Sequence, residues 1–130
     1  MKPGKIFLAT LFILFAMTPM CFAWSYVEFH RTDEGYICYA DPGSLEKAGA
    51  NIWQIAVLVD PPGDVPNVVA FEQIDFAMNK LRVLEMYSEV NGNRTAMENV
   101  DTGWHDIQYG EMEYYLKEYL ENFLRRRGKL

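Results

Sequence analysis

The sequence predicts an α+β fold: a single antiparallel β-sheet of about six strands with one C-terminal amphipathic helix packed on it. Between residues 66 and 100, apolar and polar residues alternate with the two-residue period of half-buried strands. From residue 112 onward, the apolar residues recur with the 3.6-residue period of a helix. Because the strands come first and the helix last, the sheet is the packing partner for the apolar stripe of the helix.

Three strands are predicted before the first long turn. They cover residues 24–31, 36–40 and 51–60, and the third is apolar almost throughout, as expected for a strand buried on both faces. Asp41-Pro42-Gly43-Ser44 is predicted to end the second strand, because proline cannot donate a hydrogen bond to a strand ladder. Residues 45–48 are then expected to form one helical turn, closed by Gly49.

Three more strands are predicted within residues 66–100. One face of the first is expected to carry Val68, Ala70, Ile74, Phe76 and Met78. After a break at Asn79-Lys80, one face of the second is expected to carry Leu81, Val83 and Tyr87. Asn91-Gly92-Asn93 predicts a tight hairpin turn, because these residues tolerate positive φ, and it leads into a third strand over residues 94–100. A last short strand is expected at residues 104–107.

The C-terminal helix is the clearest pattern in the chain. Its apolar stripe consists of Met112, Tyr115, Leu116, Tyr119, Leu120, Phe123 and Leu124. Gly110 is predicted to cap its start and Gly128 to end it. Arg125, Arg126 and Arg127 suit its C-terminal end, where the helix dipole favours positive charge.

Residues 1–23 predict a secretory signal peptide, cleaved before Trp24, so that residues 24–130 form the folded domain. Lys2 and Lys5 precede an apolar run over residues 6–17, and small residues stand at positions 21 and 23. A retained membrane anchor is the first alternative, but the run is shorter than the roughly 20 residues that span a bilayer. The second is lipidation at Cys21. Membrane contact is therefore expected only through the signal peptide or through lipidation at Cys21.

The charge balance excludes nucleic acid as a partner. The chain has 12 basic and 18 acidic residues, and loss of Lys2 and Lys5 with the signal peptide would change its formal charge from −6 to −8. Nucleic-acid phosphates require a basic surface. The exception to this acidity is Arg125, Arg126 and Arg127 with Lys129. The arginines predict either a contact with anionic lipid, polysaccharide or an acidic partner, or a solvated helix end.

After cleavage Cys38 is the only cysteine, so no disulfide can form within the domain. A lone cysteine in an exported protein is either buried or available for an intermolecular bridge. Cys38 stands between Ile37 and Tyr39 on a predicted strand, which favours burial.

Nothing in the sequence predicts a reaction, and we expect neither a catalytic site nor a cofactor nor a metal. The two histidines, His30 and His105, lack the spacing of metal ligands. The glycine- and serine-based patterns of nucleotide-binding proteins and hydrolases are absent from the sequence. An enzyme would require one of the histidines to meet carboxylates in a pocket.

Several short motifs follow one another along the chain in a particular order. They are Tyr39-Ala40-Asp41-Pro42-Gly43-Ser44-Leu45, Asn51-Ile52-Trp53-Gln54, Ile74-Asp75-Phe76, Leu81-Arg82, Tyr87-Ser88, Gly92 and Trp104-His105-Asp106-Ile107. In this order and spacing, over residues 24–127, the chain resembles the surface-adhesin E family of small exported bacterial proteins.

The resemblance implies a sheet of roughly six antiparallel strands with a C-terminal helix. It also implies display on the outer surface of a Gram-negative bacterium and binding of host extracellular-matrix proteins. Family members carry a cysteine pair of which this chain has neither partner, the first position falling at about Phe76 or Ala77. The family's ligand contacts match no motif here, so no adhesive residue is carried over.

The expected function is therefore that of an exported, non-enzymatic binding protein of the adhesin E type, in the periplasm or at the outer cell surface. Its expected partner is a protein, either a host matrix protein or a bacterial envelope protein. The alternative is a periplasmic structural or envelope-associated protein that binds another bacterial protein. Arg125, Arg126 and Arg127 are the candidate partner-binding residues.

Overall fold

The computed structural model describes residues 25–98 and 100–130. The predicted signal peptide, its cleavage before Trp24 and the lipidation site at Cys21 lie outside the described residues. The elements are β1 (Val27–Arg31), β2 (Ile37–Lys47), β3 (Ile52–Asp60), β4 (Asn67–Asp75), β5 (Lys80–Val90), β6 (Asn93–Ala96), β7 (His105–Asp106) and the helix α1 (Met112–Arg126).

The strands form one antiparallel sheet in which β1 to β6 lie side by side in sequence order. The two-residue strand β7 pairs with β5 beyond the end of β6. A single sheet followed by one C-terminal helix confirms the predicted α+β fold for the described part of the chain.

The core lies between one face of the sheet and α1. Leu116, Leu120 and Leu124 are at most 1 % exposed, which confirms the predicted apolar stripe of the helix. They face a layer of strand residues that are fully buried: Ala40, Ile55, Val57, Ile74 and Leu81. Burial of each large apolar side chain contributes roughly 1.5–3 kcal/mol, so this interface is the main source of stability. Cys38, on the same face, is 3 % exposed, as predicted.

The opposite face of the sheet has its own small apolar layer. Val69 is fully buried there, and the rings of Phe71 and Tyr87 meet edge to face with centroids 5.9 Å apart. Burial raises the pKa of Tyr26, just before β1, and Arg94 of β6 lowers it in part. Because β1 and β6 are the outer strands of the path, the sheet is curled enough to bring its two ends together on this face.

The predicted end of β2 at Asp41 and the helical turn at residues 45–48 are wrong. Strand β2 continues to Lys47 through a bulge, since Asp41 pairs with Ala56 whereas Glu46 pairs with Gln54. The Ser44 hydroxyl donates to the Asp41 carbonyl at 2.7 Å, and its oxygen accepts the Ala56 N–H at 2.8 Å. A side chain thus replaces the missing ladder bond, and the proline causes a bulge instead of a stop.

Two predictions within residues 66–90 are also corrected. Strand β4 ends at Asp75, whose carboxylate accepts the N–H groups of Ala77 and Met78, so Met78 leaves the sheet and is 62 % exposed. Leu81, Val83 and Tyr87 do not share a face. Glu72 pairs with Val83 and Phe71 with Glu85, and the extra residue between them moves Tyr87 to the opposite face.

The remaining element ends differ little from prediction. The hairpin turn is Asn91-Gly92, with φ of 51° and 82°, and β6 ends at Ala96 instead of residue 100. Helix α1 starts at Met112 as expected. Its N-cap is Glu111, not Gly110, and Glu111 makes no side-chain capping bond.

Candidate functional site

The predicted arginine cluster lies where α1 ends. Arg125 and Arg126 are its last two residues, Arg127 is the C-cap, and all three are exposed. The Gly128 N–H donates to the Arg125 carbonyl at 3.0 Å, and the Lys129 N–H donates to the Leu124 carbonyl at 2.9 Å. With φ of 68° at Gly128, these bonds form a Schellman motif, which confirms Gly128 as the helix end. The motif fixes the backbone that carries Arg127 and Lys129.

Positive charge is distributed unevenly over residues 25–98 and 100–130. In this part of the chain, the lysines and arginines that have a carboxylate within 4.0 Å all lie outside the last turn of α1. They are Arg31, Lys80, Arg82, Arg94 and Lys117. The five that form no such ion pair are Lys47, Arg125, Arg126, Arg127 and Lys129, which we call the basic end. Sequence reasoning identified the three arginines and Lys129, but not Lys47.

A pocket of about 480 Å³ lies beside the basic end, between the bulge of β2 and the C-terminal half of α1. We call it the helix-end pocket. It is lined by Pro42, Gly43, Leu45, Trp53, Phe123, Leu124, Arg127 and Lys129. Its volume lies within the range of small-molecule sites in proteins.

Cations stand over the aromatic walls of this pocket. The guanidinium carbon of Arg127 lies 4.0 Å from the centroid of the Phe123 ring. On the sheet side, the Nζ atom of Lys47 lies 5.9 Å from the centroid of the Trp53 ring. Both distances are within the range of cation–π attraction.

The bulge of β2 supplies one wall of the pocket. Its Asp41 carboxylate accepts the Gly43 N–H at 2.9 Å, so this acidic group is already engaged in holding the bulge. Leu45 lies within the bulge, and it packs against the core as well as lining the pocket. The segment that the sequence marked as a strand end is therefore what shapes the site.

A second polar cluster lies under the other half of α1. Glu72, on the helix-facing side of β4, is 2 % exposed, and its Oε1 atom has no hydrogen-bond partner among the described residues. Burial, with a smaller contribution from Glu113 in the first turn of α1, raises the pKa of Glu72 from 4.5 to about 8. The members of this second polar cluster are Glu72, Glu113 and His105. At neutral pH Glu72 keeps its proton, since an isolated charge is costly to bury.

The two histidines contact different residues of α1. His105 Nε2 lies 3.4 Å from a carboxylate oxygen of Glu113. His30 stacks on Tyr115 with ring centroids 4.1 Å apart and planes 8° from parallel. Over residues 25–98 and 100–130, no three His, Cys, Asp or Glu side chains are placed to hold a metal ion. Burial, and then Glu72, raises the pKa of the Cys38 thiol, which disfavours its reactive thiolate form.

Sequence reasoning missed Glu72, although a signal was present. In the alternating series of β4, apolar residues stand at 68, 70 and 74, and the missing member is Glu72. An acidic residue at a core-facing position of a strand is a candidate for a shifted pKa. The pocket had no comparable signal, because its walls combine residues 42–53 with residues 123–129, which are far apart in the sequence.

Comparisons of the chain with protein-family models, with curated proteins and with solved structures found no match. Among the described residues, no helix combines the length and the apolar character needed to cross a bilayer.

Proposed function

We propose that this protein is an exported, non-enzymatic binding module of the surface-adhesin E type, which engages an acidic region of a protein partner through its basic end. One observation carries the proposal: among the residues that the structure describes, the five cations without a carboxylate within 4.0 Å gather at one end, in a chain with a formal charge of −6. Exposed charges held near an apolar surface favour a complementary partner and speed its encounter.

The non-enzymatic part of the proposal is supported by the surroundings of the one strongly shifted carboxyl. Glu72 is 2 % exposed beneath α1, so a substrate cannot come within hydrogen-bond reach of it. Its raised pKa follows from burial inside a core, and the pocket lies at the other end of the helix.

The proposed partner is a matrix protein if the module is displayed on the cell surface, or an envelope protein if it is periplasmic. Protease treatment of intact cells, with a periplasmic extract run alongside, separates the two. Loss of the protein from intact cells supports matrix adhesion. Protection in intact cells, with recovery in the periplasmic extract, would end the adhesin proposal and leave the envelope partner.

The role of the basic end is tested by binding to an immobilised basement-membrane matrix. Replacing Arg125, Arg126 and Arg127 with glutamine should weaken binding at least tenfold, and 0.5 M salt should have a similar effect because it screens exposed charges. Replacement of the same three residues with lysine keeps the charge and should keep most of the binding. If the glutamine variant binds as well as the natural protein, the basic end is not the contact.

A further inference from the structure

We propose that the helix-end pocket binds a small organic anion, an alkyl or aryl carboxylate whose apolar body lies against Trp53 and Phe123 and whose carboxylate is held by Arg127 and Lys129. This ligand site goes beyond the protein partner proposed above and does not rest on it.

The walls of the pocket are suited to an apolar body. Leu45, Trp53, Phe123 and Leu124 contribute aliphatic and aromatic surface from β2, β3 and α1. Trp53 and Leu124 are 9 % and 1 % exposed, so the floor belongs to the rigid core. Ligand sites of this size combine such walls with a few placed polar groups, and a volume of about 480 Å³ accepts a body on the order of ten carbon atoms.

The rim of the pocket is suited to a carboxylate. Arg127 and Lys129 are its two charged lining residues, and neither forms an ion pair within the described chain. The guanidinium offers a planar pair of N–H donors that matches the two oxygens of a carboxylate. The Schellman motif holds the backbone of both residues at the pocket mouth, which reduces the conformational freedom that ligand binding must remove.

The charge of the ligand follows from the neighbours of the rim. Lys47 stands over Trp53 on the far wall, and Asp41, the nearby acidic group of the bulge, already accepts the Gly43 N–H. A cationic ligand would meet the positive charges of Arg127 and Lys129 at the pocket rim. A neutral ligand would leave Arg127 and Lys129 without a counter-charge, so an anion is the ligand that the site favours.

Octanoate is the probe for this proposal, with 1-octanol, octylammonium and acetate as matched ligands. Calorimetric titration of the purified protein should show octanoate binding at least tenfold more tightly than octanol or octylammonium, and acetate not at all. Hexanoate should bind about tenfold more weakly than octanoate, because each buried methylene is worth a factor of roughly three to four. Equal affinity for octanoate and octylammonium, or no binding of octanoate, would overturn the proposal.

The site is located by two variants that remove equal charge from the same helix end. The pair Arg127→Gln and Lys129→Gln, which line the pocket, should weaken octanoate binding at least tenfold. The pair Arg125→Gln and Arg126→Gln, which do not line it, should change binding less than twofold. In amide NMR spectra, octanoate should shift the Trp53 indole and Leu45 signals.

Equal losses in the two variants would mean that octanoate senses only the general field of the basic end, and this would refute the pocket. Because purified protein and octanoate are the only components, these results are independent of whether a matrix or envelope partner exists.

Discussion

The two halves of α1 differ in the surroundings that they give to ionisable groups without a partner. Under its first half, the Glu72 carboxyl has no hydrogen-bond partner for Oε1 and is 2 % exposed, so it remains neutral by keeping a proton. Around its last turn, Arg127 and Lys129 have no carboxylate partner within the described part of the chain, but both side chains reach solvent. The comparison shows that burial decides which unpaired groups are available to a ligand. The first half of α1, which covers Glu72 and which we call the sealed half, affects stability. The second half, which ends at the pocket and which we call the open half, is suited to binding.

The largest expected effect concerns the sealed half. Because burial raises the pKa of Glu72 from 4.5 to about 8, the folded protein holds a proton in that interval that the unfolded chain has lost. The free energy of unfolding should therefore fall as pH rises from 4.5 to 8, by on the order of 4 kcal/mol from this group. In Glu72→Gln that contribution should vanish, as measured by urea unfolding at pH 5 and pH 8.

The matched control for this prediction is Glu34→Gln, which removes an exposed carboxylate in the turn before β2. It should follow the pH dependence of the natural protein. If Glu72→Gln also follows it, Glu72 ionises freely in the folded state and the contrast between the two halves of α1 fails.

The next effect compares packing in the two halves. Leu116→Ala removes a fully buried side chain from the sealed half and should cost about 3 kcal/mol of unfolding free energy. Phe123→Ala removes a half-buried ring at the pocket and should cost about 1 kcal/mol, although the ring is larger. Thermal unfolding of both variants measures the difference. The reverse order would mean that the pocket closes over Phe123 in solution.

A smaller effect on stability concerns two side-chain hydroxyls that accept strand N–H groups, one near each end of α1. Ser44 accepts the part-buried Ala56 N–H at 2.8 Å, and Thr102 accepts the exposed Val83 N–H at 3.0 Å. Ser44→Ala should cost about 1–2 kcal/mol, because it leaves a shielded donor without an acceptor, and Thr102→Ala should cost less, since water replaces the hydroxyl. Amide hydrogen exchange distinguishes the two variants. The exchange rate of the Ala56 amide should rise strongly in Ser44→Ala, whereas that of the Val83 amide should change little in Thr102→Ala. Equal costs would indicate that water reaches the bulge.

The smallest expected effect on stability is at the basic end. Arg125→Gln with Arg126→Gln should change the free energy of unfolding by less than about 0.5 kcal/mol, because both residues are exposed and neither has an ion-pair partner among the residues described. Arg82→Gln, which breaks a 3.1 Å pair with Asp101 and a cation–π contact with Trp104, should cost about 0.5–1 kcal/mol. Chemical unfolding measures both. A larger loss at the basic end would assign it a structural role.

Local sequence patterns predict the parts of the fold that depend only on residues close together in the chain. The stripe that ends in Leu116, Leu120 and Leu124 predicts one face of α1 because the helical period alone determines which residues point to the core. The Asn91-Gly92 turn is similarly local, since positive φ at two successive residues is required by a two-residue hairpin loop. Such features depend on residues within about two helical turns of one another.

Features that depend on distant partners were not predicted. Asp41-Pro42-Gly43-Ser44 carries every local sign of a strand end, yet the strand continues because Ser44 finds the Ala56 N–H twelve residues away. The face of Tyr87 likewise depends on the register between β4 and β5, which one extra residue shifts. The helix-end pocket also depends on distant partners, because it forms only where the bulge of β2 meets the last turn of α1.

The strand order has a consequence for how the chain folds. Each strand from β2 to β6 pairs with the one made just before it, whereas α1, the cover for the core, is made last. Until α1 docks, the face that carries Glu72 is in contact with water, where a carboxyl with its ordinary pKa of 4.5 is ionised at neutral pH. Covering of Glu72 by the helix must therefore take up a proton, so folding should slow as the solution becomes alkaline.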